Sequence, residues 1–305
     1  MLIGYDIGGT KSTVILGDFE LNIIAKETFL TIPQNGFEDF LGRLTKTTNN
    51  IIKNNFIEAI GVSIGGPLDS NKGIIFNPPH LGWNNIPLKD ILQKNFKCPV
   101  KIEHDAKACA LVEWKFGAGQ GSSNMIFLTL GTGLGAGFIL EEKLYRGSNG
   151  FAGEVGHIRV SNEGPIVYGK KGSWESFCSG RGIGKLAHEM YSQIYPENTD
   201  AKEVCERAIK GEEEALIILK KSGRYLGIGL SILIDIFNPD TIVLGSLSWR
   251  FPEIWLNEAL RVVEEEALEL SRKHCRIVLS RFKENLGDLA ALFCAKIAWE
   301  EINCD

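Results

Sequence analysis

Twice in this chain a buried apolar strand runs into a turn of glycine and threonine and returns as a second apolar strand. The first instance is Leu2-Ile3-Gly4-Tyr5-Asp6-Ile7-Gly8-Gly9-Thr10-Lys11, continuing into Ser12-Thr13-Val14-Ile15-Leu16-Gly17. The second is Ile126-Phe127-Leu128-Thr129-Leu130-Gly131-Thr132-Gly133-Leu134-Gly135-Ala136-Gly137-Phe138-Ile139-Leu140. Each predicts a tight hairpin whose first strand is buried. Gly8 and Gly9 allow positive φ and leave backbone N–H groups bare, so a phosphate can approach closely. Thr10 and Lys11 add a hydroxyl and a cation beside the same anion. Asp6, at the end of the strand, is placed to hold magnesium, directly or through water. The first turn lacks the G-x-x-x-x-G-K-[ST] spacing and leads into a strand, not into the helix of a dinucleotide fingerprint. One such turn reads equally well as an ordinary hairpin. Two of them, one opening each half, predict two related lobes facing one phosphate chain.

The 305 residues, 44% hydrophobic and 23% charged, have the balance of a soluble globular protein and the length of two domains. A formal net charge of -5 without a basic run argues against nucleic acid as a partner. No apolar stretch reaches the length of a membrane span, and the chain opens in a strand without a signal peptide, so no membrane partner and a cytoplasmic location are expected. The seven cysteines (Cys98, Cys109, Cys178, Cys205, Cys275, Cys294 and Cys304) include no C-x-x-C pair and read as reduced, mostly buried thiols.

Along the chain, 21–29 continues the opening hairpin as a third strand, 37–55 carries a helical stripe, and 59–64 is a buried strand entering Gly65-Gly66-Pro67. A turn-rich loop over 77–85 precedes Pro87, which stands where a first helical residue would lead a helix over 88–96. A strand over 99–103 closes at His104-Asp105, a helix follows over 106–116, and 117–123 is a linker. After the second hairpin comes a polar, glycine-rich stretch over 147–172. Helices are expected over 173–195, 201–210, 213–237, 253–271 and 286–302, with strands over 241–245 and 276–279. The second half thus repeats strands followed by alternating helices and strands.

Asp105 emerges at a strand's end just before a helix, as a carboxylate serving as general base would, or as a plain helix cap would. Glu154-Val155-Gly156-His157 offers a carboxylate and an imidazole among glycines, groups suited to vicinal sugar hydroxyls, each of which donates and accepts one hydrogen bond. A polar surface loop would look the same. One histidine without a cysteine partner makes a weak metal site. Glu175 is either a further sugar ligand or a first-turn acid favoured by the helix dipole.

Asp6-Ile7-Gly8-Gly9-Thr10-Lys11, Gly65-Gly66-Pro67, Asp105-Ala106, Leu130-Gly131-Thr132-Gly133-Leu134-Gly135, Glu154-Val155-Gly156-His157 and Phe237-Asn238-Pro239-Asp240 stand in the order and spacing of the ROK family of sugar kinases, which also includes repressors. The resemblance runs to Gly287-Asp288-Leu289-Ala290-Ala291-Leu292, essentially the whole chain. It implies an α/β fold of two ribonuclease H-like domains of the actin and hexokinase kind, with ATP and a hexose meeting in a cleft. The domains would be 1–116, joined by the C-terminal helix 286–305, and 117–285 with helical insertions. By position, Asp105 is the base that deprotonates the sugar's primary hydroxyl. Glu154, His157 and Glu175 are sugar ligands, together with the backbone around Gly65 and Gly66, and Asn77, His80 and His104 shape the choice of sugar. Asp6, Gly8, Gly9, Thr10 and Lys11 form the first phosphate loop; Gly131, Thr132 and Gly133 belong to the second, and Gly245 lies beside the adenosine pocket. ATP, magnesium and a homodimer are implied by the same resemblance. Glucose is the commonest acceptor, followed by an N-acetylated hexose or fructose.

Two departures stand out. Many members carry a Cys-x-Cys-Gly-x-x-Gly-Cys-x-Glu zinc motif; here the run is Ile166-Val167-Tyr168-Gly169-Lys170-Lys171-Gly172-Ser173-Trp174-Glu175. Ile166, Tyr168 and Ser173 supply no thiolate, so no structural zinc is expected and His157 is left to serve the sugar. His104 replaces the asparagine that usually hydrogen-bonds a sugar hydroxyl; an imidazole donates or accepts, but is larger and titrates near neutrality. The runner-up is a repressor of the same fold, disfavoured because a DNA-binding helix-turn-helix would precede the first strand. A sugar-binding regulator without catalysis is the third possibility.

Overall fold

The computed structural model describes residues 1–53 and 55–303; Cys304 lies outside the described residues. The elements run β1 (Leu2–Ile7), β2 (Lys11–Gly17), β3 (Ile23–Leu30), α1 (Gly36–Ile52), β4 (Ala59–Ile64), a small hairpin of β5 (Leu68–Asp69) and β6 (Ile74–Ile75), α2 (Leu88–Phe96), β7 (Val100–His104) and α3 (Asp105–Phe116). There follow β8 (Met125–Leu130), β9 (Leu134–Leu140), β10 (Lys143–Tyr145), a second small hairpin of β11 (Ile166–Val167) and β12 (Lys170–Lys171), α4 (Trp174–Cys178), α5 (Gly180–Met190), α6 (Ala201–Ile209) and α7 (Glu213–Phe237). The chain ends with β13 (Thr241–Ser246), α8 (Glu253–Glu266), α9 (Glu269–His274), β14 (Arg276–Leu279) and α10 (Leu286–Asn303).

Two five-stranded sheets result, ordered β3-β2-β1-β4-β7 and β10-β9-β8-β13-β14. In both, three consecutive antiparallel strands are extended by two parallel ones. That shared order is the ribonuclease H-like plan, and the two opening hairpins occupy equivalent places in it. The chain divides into two compact units, one of Met1–Val112, Arg146–Ala152 and Glu284–Asp305, the other of Glu113–Tyr145 and Gly153–Lys283. The division falls inside α3, where the helical pattern runs on without a break and leaves nothing to read at residue 112.

In the first unit, glycine makes the floor on which α10 lies. Gly4 and Gly61 are neighbours across β1 and β4. A Cβ on Gly61 would come within 2.1 Å of Ala291 O and 2.2 Å of Ala295 N. Successive residues of a strand face opposite ways, so Tyr5 points to the other side, where its hydroxyl meets Thr48 of α1 at 3.0 Å. Segment Arg146–Ala152 joins this unit because Arg146 pairs with Glu103 and the Lys107 Nζ donates to Gly150 O at 2.5 Å.

The second unit has its own core, around Trp174, Phe177, Leu230 and Trp255. The helix expected over 173–195 is two helices. Ser179 is extended (ψ 163°), closes α4 by donating its N–H to Glu175 O, and caps α5 by accepting from Gly182 N at 3.0 Å. Likewise 253–271 breaks at the extended Ala267, after which Asp235 Oδ1 accepts the Leu268 N–H at 2.9 Å. Among the described residues six cysteines form no disulfide, and five of these are buried. No helix among the described residues is long and apolar enough to cross a membrane.

Candidate functional site

Each unit gathers one set of candidate residues. In the first, Asp105 opens α3 directly after β7, with its side chain 48% exposed. Its Oδ1 accepts from the N–H of Ala106, the next residue, at 2.6 Å. Its Oδ2 lies 3.9 Å from where a Cβ on Gly65 would stand. The His104 ring packs on Gly66, whose Cβ would sit 3.0 Å from the ring carbon, and His104 Nδ1 is 3.1 Å from Asp105 Oδ1 but outside hydrogen-bond geometry. The structure therefore brings Gly65, Gly66, His104 and Asp105 together. Asn77 is exposed one residue beyond Phe76, whose N–H donates to Pro67 O at 3.1 Å.

A residue that sequence reasoning passed over stands behind this junction. Glu103 is buried at 1% exposure, accepts from Ser70 Oγ and from the His104 N–H at 2.9 Å each, and pairs with Arg146. A buried carboxylate is tolerated only when its oxygens are satisfied in this way. It pins the peptide that carries His104 and Asp105.

The first phosphate turn is closed by the Gly8 N–H donating to Lys11 O and by Thr31 Oγ1 donating to Gly8 O at 2.6 Å. Gly8, Thr10 and Lys11 are exposed. Gly9 is glycine for a steric reason: a Cβ there would meet the Cβ of His80 at 2.6 Å. His80, expected to help shape the choice of sugar, thus stands against the first phosphate turn.

Asp6 lies against the start of α10, where a Cβ on Gly287 would be 2.6 Å from its Oδ2. Burial, then the charges of Asp288 and Asp105, push its carboxyl up to about 7, with Lys11 pulling the other way. An oxygen donor crowded by like charges fits a hard cation. No three His, Cys, Asp or Glu among the described residues are grouped as a metal-ligand cluster.

An unfolded aspartate releases its proton near pH ~4. Between there and pH about 7 the folded chain keeps a proton at Asp6 that the unfolded chain has lost, so this group makes stability fall as pH rises. Without nucleotide or metal, the thermal midpoint is expected to drop from pH 5 to pH 8, and Asp6→Asn to flatten that slope and raise the midpoint at pH 8. A slope unchanged in the variant would assign it to other groups.

In the second unit, Glu154 and His157 are exposed at the two ends of a single 3-10 turn lying on β9. Gly153 O accepts from the Ala136 N–H at 2.9 Å, and a Cβ on Gly156 would strike Leu134 O at 2.2 Å. The Lys170 Nζ donates to His157 O. Glu175 joins Glu154 here, but its carboxylate reaches the second phosphate turn. Its Oε2 accepts the Leu134 N–H at 3.3 Å and stands 3.2 Å from where a Cβ on Gly133 would be. Burial first, with the Glu154 charge last, raises its pKa, while the Leu134 bond and Arg181 hold it down.

The turn itself, Gly131-Thr132-Gly133, receives α5 end-on: Gly180 N donates to Gly131 O at 2.7 Å and Arg181 N to Thr132 O at 3.4 Å. A cavity of about 510 Å³ opens beside Thr132, lined also by Leu247 and by Arg181, Lys185, Lys202 and Arg250, with Glu197 and Asp200 as its acids. Gly245 is buried, its missing side chain's place taken by Phe127 (2.3 Å from a Cβ there); Leu247, two residues on, is what reaches the cavity.

The family model of the ROK family matches residues 2–297. The chain belongs to the ROK family. Among its relatives, the glucokinase of Thermotoga maritima is 32% identical over 302 residues, covering 95% of each chain. The xylose repressor of Caldicellulosiruptor bescii is 28% identical over 324 residues, covering 98% of this chain and 80% of the repressor. Among solved structures, a ROK family glucokinase from Streptomyces griseus in complex with glucose and AMPPNP superposes with a TM-score of 0.83 at 30% identity, covering 97% of this chain and 99% of that one. Where other ROK members carry zinc-binding cysteines, Ile166 and Tyr168 lie exposed on the β11–β12 hairpin, and Ser173 is buried just before α4.

Proposed function

We propose that this ROK protein transfers the γ-phosphoryl group of ATP to the primary hydroxyl of a hexose, glucose foremost. The observation that carries this is Asp105, a half-exposed carboxylate fixed at the β7–α3 junction beside the Gly65-Gly66 backbone. Geometry comes before pKa in choosing a base, and this group is accessible and anchored. It accepts the hydroxyl proton as the sugar oxygen bonds to the γ-phosphorus and the bond to the ADP oxygen breaks, its electron pair leaving with ADP. Glu154, His157 and Glu175 accept and donate to the sugar's remaining hydroxyls. The cavity beside Thr132, with four cations against two acids, takes the nucleotide. Asp6 would hold magnesium, which would neutralise charge on the phosphates.

A coupled ADP-release assay with Mg-ATP across glucose, mannose, fructose, allose, N-acetylglucosamine and N-acetylmannosamine tests this. Turnover on one of them is expected. Silence on all, with sugar still binding by calorimetry, would favour a non-catalytic sugar sensor, the possibility that the xylose repressor among its relatives keeps in view.

A further inference from the structure

The second unit contains a cation whose placement the sugar and phosphate motifs do not explain. We propose that Arg181 is a further catalytic residue, its guanidinium meeting the phosphoryl group in transfer, and that Tyr168 is the residue that positions it. This rests on the phosphoryl-transfer function proposed above.

Arg181 is tied to the second phosphate turn by its own backbone, through the bond from its N–H to Thr132 O, and lines the cavity beside that threonine. Its side chain is flanked on one side by Tyr168: the guanidinium lies 5.5 Å from the ring centroid. From another side it feels Glu175, the carboxylate that stands against Gly133 of the same turn. An acid at that place opposes a bound triphosphate, and Arg181 is the cation acting on it. A guanidinium is also the group best shaped to bind a phosphoryl group through two parallel N–H bonds, and charge there develops on the equatorial oxygens. Arg181 neither gains nor loses a covalent bond; it supplies a fixed charge where the charge moves.

Tyr168 shows that the arrangement is built. It forms, with Gly169, the two-residue turn between β11 and β12, at φ +48° and +72°. Both positions of such a turn demand positive φ, which Asn-Gly meets cheaply. A tyrosine in that region is an outlier that the turn itself does not ask for. What tyrosine adds over asparagine is a ring that reaches Arg181, and the residue is 46% exposed, so its own burial does not account for it.

The test uses the full chain with Arg181→Gln, Arg181→Lys and Tyr168→Asn. Turnover is followed by ADP release, and affinities for Mg-ATP and Mg-ADP by calorimetry. Arg181→Gln is expected to lower kcat by about 10²- to 10³-fold. It should weaken Mg-ATP binding at least about tenfold more than Mg-ADP binding, because only ATP carries the group that is met. Arg181→Lys should recover part of kcat. Tyr168→Asn should keep or raise the thermal midpoint while lowering kcat, which a purely structural tyrosine would not do.

Unchanged kcat in Arg181→Gln, or a fall without any change in the ratio of ATP to ADP affinity, overturns the assignment. An unchanged kcat in Tyr168→Asn removes Tyr168 from it. Wild-type silence on every hexose would instead overturn the transferase function itself, and the nucleotide ratio would still decide whether Arg181 meets the terminal phosphate.

Discussion

Asp105→Asn is expected to lower kcat on the preferred hexose by about 10²- to 10⁴-fold, the range for losing a positioned general base. KM should change little, because an asparagine oxygen still accepts a hydrogen bond from a sugar hydroxyl but takes no proton from it. Thermal stability should hold too. The side chain is half exposed, and its hydrogen bond, from the Ala106 N–H, is one that an asparagine oxygen accepts equally well. A second readout separates this from a general disturbance. The charge of Asp105 is one of those raising the Asp6 carboxyl, so the variant should shift the pH dependence of stability associated with Asp6 toward lower pH. Wild-type turnover surviving in Asp105→Asn would mean that another group takes the proton.

Much of this was legible in the chain because it is local. The two hairpins are fixed by glycine turns between apolar runs, and β1, β2, β8 and β9 fall where the pattern sets them. The β7–α3 junction at His104-Asp105 was equally plain, since a short apolar strand there meets a helical stripe. What could not be read depends on groups far apart in sequence, or on one residue breaking a period. Ser179 ends one helix and caps the next, yet the apolar spacing over 173–195 runs straight through it. Glu175 reads as a first-turn acid, and only the fold brings it to Gly133. Asp288 sits in a recognisable motif, but its influence on Asp6 comes from α10 returning to β1. Segment Arg146–Ala152 follows a strand of the second unit and gives no signal of belonging to the first. Its ties, Arg146 to Glu103 and Lys107 to Gly150, are an ion pair to a buried carboxylate and a bond to a backbone carbonyl, which no periodicity reports.

Glycine-to-alanine changes in the first unit are expected to have opposite signs at two positions, and the contrast tests how the sheet carries α10. Gly61 lies in the middle of β4, beside Gly4 of β1. An added methyl would overlap Ala291 O and Ala295 N, both main-chain atoms of α10, at 2.1 Å and 2.2 Å. No rotamer change relieves a clash with backbone, so the helix itself must lift from the strand. Overpacking of this kind costs about 3 kcal/mol or more, a large share of a domain's net stability. Gly42, by contrast, stands in the middle of α1 with nothing within 4 Å of an added Cβ. There alanine restricts the unfolded chain and suits the helix, for a gain of roughly 1 kcal/mol. Thermal melts of the two variants should therefore bracket the wild type. A Gly61→Ala protein as stable as the wild type would mean that α10 does not rest on β4 as closely as described. That would also loosen the placement of Gly287 against Asp6, because both glycines depend on the same seat of the same helix.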